Sequence, residues 1–135
     1  MKLRELELSP FRLTLKTPLR TAHGEYRVRD GLLLTLHGDA RVGSGEAMPL
    51  HGFGTESLAE AESALKAMSA LVMGRELPAS LDALEAFLAE APALARAPTA
   101  RHAIESWLLD LLAQARGVPL CRLLTETARD EVEVN

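Results

Sequence analysis

The stretch Asp30 to Glu56, DGLLLTLHGDARVGSGEAMPLHGFGTE, leaves the backbone few choices. Leu32, Leu34 and Leu36 alternate with Leu33 and Thr35, the period-two pattern of a strand with one face toward a core. His37-Gly38-Asp39-Ala40 supplies residue types that tolerate the backbone angles of a tight reversal. Arg41 to Ala47 then reads as the return strand of a hairpin. Gly43 and Gly45 weaken it intrinsically, so they predict a bulge or a close approach by another backbone. Pro49 ends the strand, and Gly52 and Gly54 shape a loop. Ser57-Leu58-Ala59-Glu60 has the form of a capping box: the serine takes an orphan backbone donor and the glutamate reaches back.

Upstream, Leu6 and Leu8 share one face of a first strand. Phe11, Leu13 and Leu15 share a face of its continuation. The apolar phase changes at Ser9-Pro10, which predicts a bulge or kink there, since proline cannot donate a ladder hydrogen bond. Leu19 to Tyr26 is polar and aperiodic and is expected to be a mobile loop, with Arg27 leading into the second strand. Downstream, Leu58, Ala61, Leu65, Met68 and Val72 form one helical stripe that Gly74 stops. Ser80 caps a second helix bearing Leu81, Leu84, Leu88 and Ala91, which Pro92 ends. Ala93 to Pro98 reads as a linker. A third helix starts at Pro98 or Thr99 and carries Ala100, Ile104, Trp107, Leu108, Leu111, Leu112 and Ala115. That face is broad enough to need partners on more than one side. Gly117 and Pro119 close it, and Leu120, Leu123 and Leu124 suggest one more turn. The fold class expected is α+β: a three-stranded antiparallel sheet over about residues 2–15, 31–37 and 40–47, followed by a bundle of three main helices.

Several functions are disfavoured by composition. A net charge of −4, with acids and bases interleaved, gives no footprint for nucleic acid or an anionic membrane. The start, MKLRELELSPF, has no long apolar stretch, so it is neither a signal peptide nor a membrane span. The single cysteine, Cys121, cannot form an intrachain disulfide, and a reducing cytoplasm is the expected compartment. Beside leucines it reads as a packing residue. Ser44 lacks the spacing of a nucleophile elbow, and no histidine pair has zinc spacing.

Arg29-Asp30-Gly31, followed by Gly43-Ser44-Gly45-Glu46 and then Pro49-Leu50-His51-Gly52-Phe53-Gly54-Thr55-Glu56, resembles the amino-terminal capping domain of the enolase superfamily. Within it the run is most similar to the o-succinylbenzoate synthase family, where GxGE-x-x-PL-x-GF-x-x-E follows an RDG strand. The resemblance implies residues 1–128 as the cap and 129–135 as the start of the first strand of a missing C-terminal (β/α) barrel. It implies a Mg-dependent lyase as the full-length protein. The reaction is dehydration of a succinyl-hydroxycyclohexadiene carboxylate to o-succinylbenzoate, in menaquinone biosynthesis. The Lys-x-Lys pair, the three carboxylate ligands of Mg and a further lysine lie on barrel strands in that family. None can be carried over, because the only lysines here are Lys2, Lys16 and Lys66. No catalytic or metal residue is therefore expected in this chain, and the 135 residues alone are expected to be inactive.

In the resembled family the loops matching Leu19–Tyr26 and Met48–Thr55 close over the barrel mouth. The expected substrate-shaping residues are Arg20, Thr21, His23, Tyr26, His51 and Phe53. The plain alternative is that both are solvated connections. Arg29 is expected in a surface ion pair. The partner implied is a small-molecule carboxylate held through the missing barrel. Self-association is expected where the third-helix face lies bare. Two other readings stay open: the cap of a dipeptide epimerase, muconate cycloisomerase or N-acylamino acid racemase, and a stand-alone binding or oligomerisation module.

Overall fold

The computed structural model describes residues 1–129 and 131–134, and of His51 the backbone alone. Three antiparallel strands lie in the order β1-β2-β3: β1 spans Leu3–Thr21, β2 Gly24–Gly38 and β3 Val42–Ala47. Helices follow: α1 (Leu58–Val72), α2 (Leu81–Ala89), α3 (Pro98–Arg116) and the short α4 (Leu120–Leu124). Tight 3-10 turns occupy His51–Phe53 and Pro92–Arg96. The expected α+β architecture, a three-stranded sheet followed by three main helices, is the one observed.

Alternation sets the sheet's faces. Leu34 and Leu36 are fully buried, whereas Leu33 between them and Leu32 is 42% exposed. The β2–β3 register runs without interruption from Leu32↔Ala47 to His37↔Val42, so Gly43 and Gly45 mark no bulge. They mark a close approach instead. A Cβ on Gly45 would lie 2.0 Å from the Ala103 carbonyl oxygen, and one on Gly43 would lie 2.7 Å from Leu111. α3 thus rests directly on the β3 backbone. Across the sheet's start, Leu3 donates to the Arg75 carbonyl and accepts from Gly74, which anchors β1 to the segment after α1.

Helix boundaries follow the caps. The Ser57 hydroxyl accepts from the Glu60 N–H at 3.3 Å, and the Glu60 carboxylate accepts from the Ser57 N–H at 2.8 Å. Ala61, Leu65, Met68 and Val72 form the buried stripe of α1. Gly74 follows the C-cap at φ +75°, in the left-handed region that favours glycine. Ser80 caps α2 through the Ala83 N–H. On α3, Ile104, Trp107, Leu108 and Leu111 are all fully buried, against β3, α1, α2 and the Pro92–Arg96 turn. The broad α3 face expected to lie bare is therefore covered within the chain, and only Ala115 of its residues is exposed. The ground given for self-association is removed with it.

Three local expectations need correction. Pairing runs evenly through Ser9↔Leu33 and Pro10↔Leu32, so no bulge forms there. β1 is an edge strand, where a proline nitrogen can face away from the ladder. The register breaks instead at Leu3/Glu5 and at Thr14/Leu19. Leu19–Tyr26 is no irregular loop: Leu19↔Tyr26, Arg20↔Glu25 and Thr21↔Gly24 pair as a hairpin. The Ala93–Pro98 linker is mostly a 3-10 turn, and it places Leu94 and Ala97 in the core. At the other end, Glu131–Val134 are exposed and outside any helix or strand, while Asp130 and Asn135 of the expected barrel strand lie outside the described residues.

Candidate functional site

β1 and β2 outrun β3, whose last partner on β2 is Leu32. Beyond it Phe11–Thr21 and Gly24–Gly31 continue as a two-stranded arm. Arg12 clasps Asp30 across the arm with two hydrogen bonds, of 2.6 and 3.0 Å. The guanidinium holds the Asp30 carboxyl below its ordinary range, chiefly by hydrogen bonding. Between the pairs Thr14↔Val28 and Leu19↔Tyr26, β1 carries more residues than β2, and Pro18 lies in the excess. Extra residues on one strand bend it, so the arm turns at this point. At its tip the Thr21 hydroxyl accepts from the His23 N–H at 3.1 Å and donates to the Gly24 carbonyl at 3.2 Å. Gly24 takes φ +134°, which favours glycine.

The segment after β3 is tied at several points. Arg29 donates to the Met48 carbonyl at 2.8 Å, which replaces the surface ion pair expected of it. The Leu50 N–H donates to the Thr55 hydroxyl at 2.7 Å, and the Phe53 N–H donates to the Leu50 carbonyl at 2.8 Å. These bonds fold residues 50–55 into a small closed turn that presents Phe53.

Arm tip and turn touch. The His23 ring meets Phe53 edge-on with centroids 5.6 Å apart, and Tyr26 lies tilted to Phe53 at 6.4 Å. Such separations suit aromatic pairs. A Cβ on Gly52 would fall 2.2 Å from the Tyr26 hydroxyl, so a side chain there would push the tyrosine from its present place. Phe53 remains 54% exposed. Beside the contact an open cleft of about 400 Å³ is lined by Tyr26, Val28, Arg29, Asp30, Pro49, Leu50 and the start of α1.

Of the residues singled out by sequence, His23, Tyr26 and Phe53 come together. Arg20 does not join them; its guanidinium lies on Glu25 at 3.0 Å, and Glu25 also receives Arg27. Thr21 closes the hairpin turn. His51 opens the 3-10 turn, and its side chain lies outside the described residues.

Sequence reasoning carried Glu56 only as the closing acid of the resembled run and gave it no role. Only 6% exposed, it is the one charged side chain fully buried among the described residues. Its carboxylate accepts from the Thr99 N–H at 3.0 Å, the Thr99 hydroxyl at 2.6 Å and the Ala100 N–H at 2.9 Å. These are donors of the first turn of α3, whose own N-cap, Ala97, supplies no side-chain bond. A helix that opens Ala97-Pro98 without a polar cap was the available signal that an acceptor comes from elsewhere.

Among the described residues no three His, Cys, Asp or Glu side chains gather to hold a metal ion. This donor set does not fit Mg, which favours octahedral oxygen coordination. No helix among the described residues is long and apolar enough to cross a membrane.

Residues 3–87 match the family described as MenC, N-terminal domain. That span holds the sheet, the arm, the Phe53 turn, α1 and most of α2. No curated protein matches the chain significantly. Among solved structures, the L-Ala-D/L-Glu epimerase from Bacillus subtilis is 29% identical, with a TM-score of 0.80 over 92% of this chain and 34% of its own. The dipeptide epimerase from Methylococcus capsulatus, complexed with Mg and the dipeptide L-Arg-D-Lys, is 30% identical, with a TM-score of 0.81 over 93% of this chain and 35% of its own. A mandelate racemase/muconate lactonizing protein from Herpetosiphon aurantiacus shares the fold at 21% identity, with a TM-score of 0.73 over 85% of this chain and 32% of its own. The chain thus spans about a third of the length of the solved relatives it matches.

Proposed function

The chain belongs to the MenC N-terminal domain family of the enolase superfamily, and from that premise we propose that it is the capping and specificity domain of an o-succinylbenzoate synthase-like lyase. The observation that carries this reading is the contact between the arm tip and the Phe53 turn. Two segments far apart in sequence converge on an exposed aromatic edge of His23, Tyr26 and Phe53. An aromatic edge beside an open cleft can exclude water from a small carboxylate and discriminate its shape. Abstraction of a proton alpha to a carboxylate also needs concentrated positive charge beside the base, which the His23 imidazole against Phe53 does not supply. Proton transfer and magnesium binding are assigned to a barrel that residues 129–135 lead into. The arm's exposed Leu13, Leu19 and Val28 supply apolar surface for such a barrel to cover.

A second reading has its own support. The two epimerases at 29% and 30% identity favour a cap over a dipeptide-racemising barrel. The test is to assay the enzyme carrying this domain and its barrel, with Mg, on the cyclohexadiene substrate and on a panel of dipeptides. Dehydration without epimerisation supports the synthase reading; epimerisation alone replaces it. In either case Phe53→Ala should raise KM by about tenfold while changing kcat little, as loss of uniform binding does.

A further inference from the structure

We propose that Glu56 is the positioning residue of the Phe53 turn: its buried carboxylate, bonded to the first turn of α3, sets where Phe53 stands against His23 and Tyr26. The functional part rests on the cap reading above; the structural part concerns this chain alone.

The argument begins with a helix end that lacks its own cap. α3 opens Ala97-Pro98-Thr99-Ala100, with no side-chain bond from the N-cap and no acid in its first turn. Its free N–H groups need an acceptor, and the helix dipole favours a negative one. A serine or aspartate at position 97 would do this locally. The acceptor comes instead from Glu56, 43 residues earlier, at the end of the Phe53 turn. A cap drawn from that distance joins two elements as well as satisfying one.

The joint is continuous with the site. Next to Glu56, the Thr55 hydroxyl accepts from the Leu50 N–H, and the Leu50 carbonyl accepts from the Phe53 N–H. Behind it, α3 packs on the β3 backbone, with Leu111 and Trp107 against Gly43 and the Ala103 carbonyl against Gly45. The path from α3 through Glu56 and Thr55 to Phe53 therefore contains only short hydrogen bonds and backbone. Released from α3, the turn would lose its fixed height against the arm, and the Leu50 and Phe53 bonds that close it would open more often.

Amide hydrogen exchange on the 135-residue chain tests the structural part, with Leu88→Ala on α2 as a control that destabilises without touching the turn. Glu56→Ala should speed exchange at Leu50 and Phe53 at least ~10-fold beyond the control at matched global stability, a local opening, with Glu56→Gln intermediate. Equal acceleration throughout the chain would make Glu56 a fold cap only and overturn the proposal. Should Glu56→Ala not fold, Glu56→Gln and Thr99→Val carry the same comparison, each weakening one side of the joint. In the enzyme with its barrel, Glu56→Gln should raise KM ~5-fold or more with kcat within about twofold. Faster exchange with KM unmoved on every substrate would leave the joint standing and sink the cap reading. A KM change without faster local exchange would overturn the joint.

Discussion

At Gly45 the cost of a single methyl can be read directly from geometry. A Cβ there would sit 2.0 Å from the Ala103 carbonyl, and backbone cannot swing aside as a side chain can. Gly45→Ala should therefore cost about 1–3 kcal/mol by overpacking, measured as a lower denaturant midpoint at unchanged slope. Leu65 tests the opposite error. It is fully buried on the α1 stripe, and Leu65→Ala should cost about 2–5 kcal/mol through lost transfer energy and the cavity left behind. A loss under about half a kilocalorie would mean that the surroundings collapse onto the site. Both positions were legible in the sequence, Leu65 from helical period and Gly45 from a glycine where a strand prefers a side chain. Glu56 was not. Its role depends on a helix end 43 residues away, and no local pattern reports a pairing at that separation.

Elements are joined by exposed ion pairs whose pH response has a definite sign. Asp30 is held below its ordinary pKa mainly by its hydrogen bond from Arg12. Asp39 is lowered mainly by the Lys2 backbone N–H and then by Arg4, and Glu90 mainly by Arg75. These carboxylates bind protons less readily folded than unfolded. Their stabilisation is complete above the ordinary carboxylate pKa of about 4 and is lost as pH falls through the lowered folded values. The thermal midpoint should thus hold between about pH 7 and 5, then decline below about 4, less steeply in Asp30→Asn. Because all three are solvent-exposed, the effect should be modest and should shrink with added salt. A pair of this kind explains why the arm was hard to read. At the tip, Arg20 bonds Glu25 across strands that lack apolar alternation, so Leu19–Tyr26 looked like a loop. The core strands and all three main helices, by contrast, announce themselves through leucine periodicity and serine caps, where burial and hydrogen bonding act within a few residues. Proline misled at Pro10, which sits unbroken on an edge strand, while the register breaks between Thr14 and Leu19.

For the molecule as a whole, the proposed cap reading expects a chain that shapes a site without running a reaction. Among the described residues the buried interior is almost wholly apolar, and its one buried carboxylate is committed to a helix end. The aromatic edge at the arm tip offers surface and shape, and its imidazole, His23, is packed edge-on against Phe53. Lys2 precedes β1 and forms a β-bridge with Glu76, Lys16 lies on β1, and Lys66 lies on α1, where it pairs with Glu62 at 2.6 Å. Abstraction of a proton alpha to a carboxylate needs a base at a concave site with positive charge near the developing enediolate. The expected outcome is that the 135 residues alone neither dehydrate the cyclohexadiene substrate nor epimerise dipeptides. Isothermal titration with Mg should likewise show no saturable binding, since octahedral coordination needs oxygen ligands that converge. Magnesium-dependent turnover by the purified chain, with full-length enzyme excluded by mass spectrometry, would overturn that reading. Adding a separately expressed barrel should restore activity in proportion to complex formed, and Phe53→Ala should then weaken substrate binding without preventing assembly. That last separation matters most: a cap that merely props up the barrel would lose assembly and turnover together, whereas one that shapes the pocket keeps the first and alters the second.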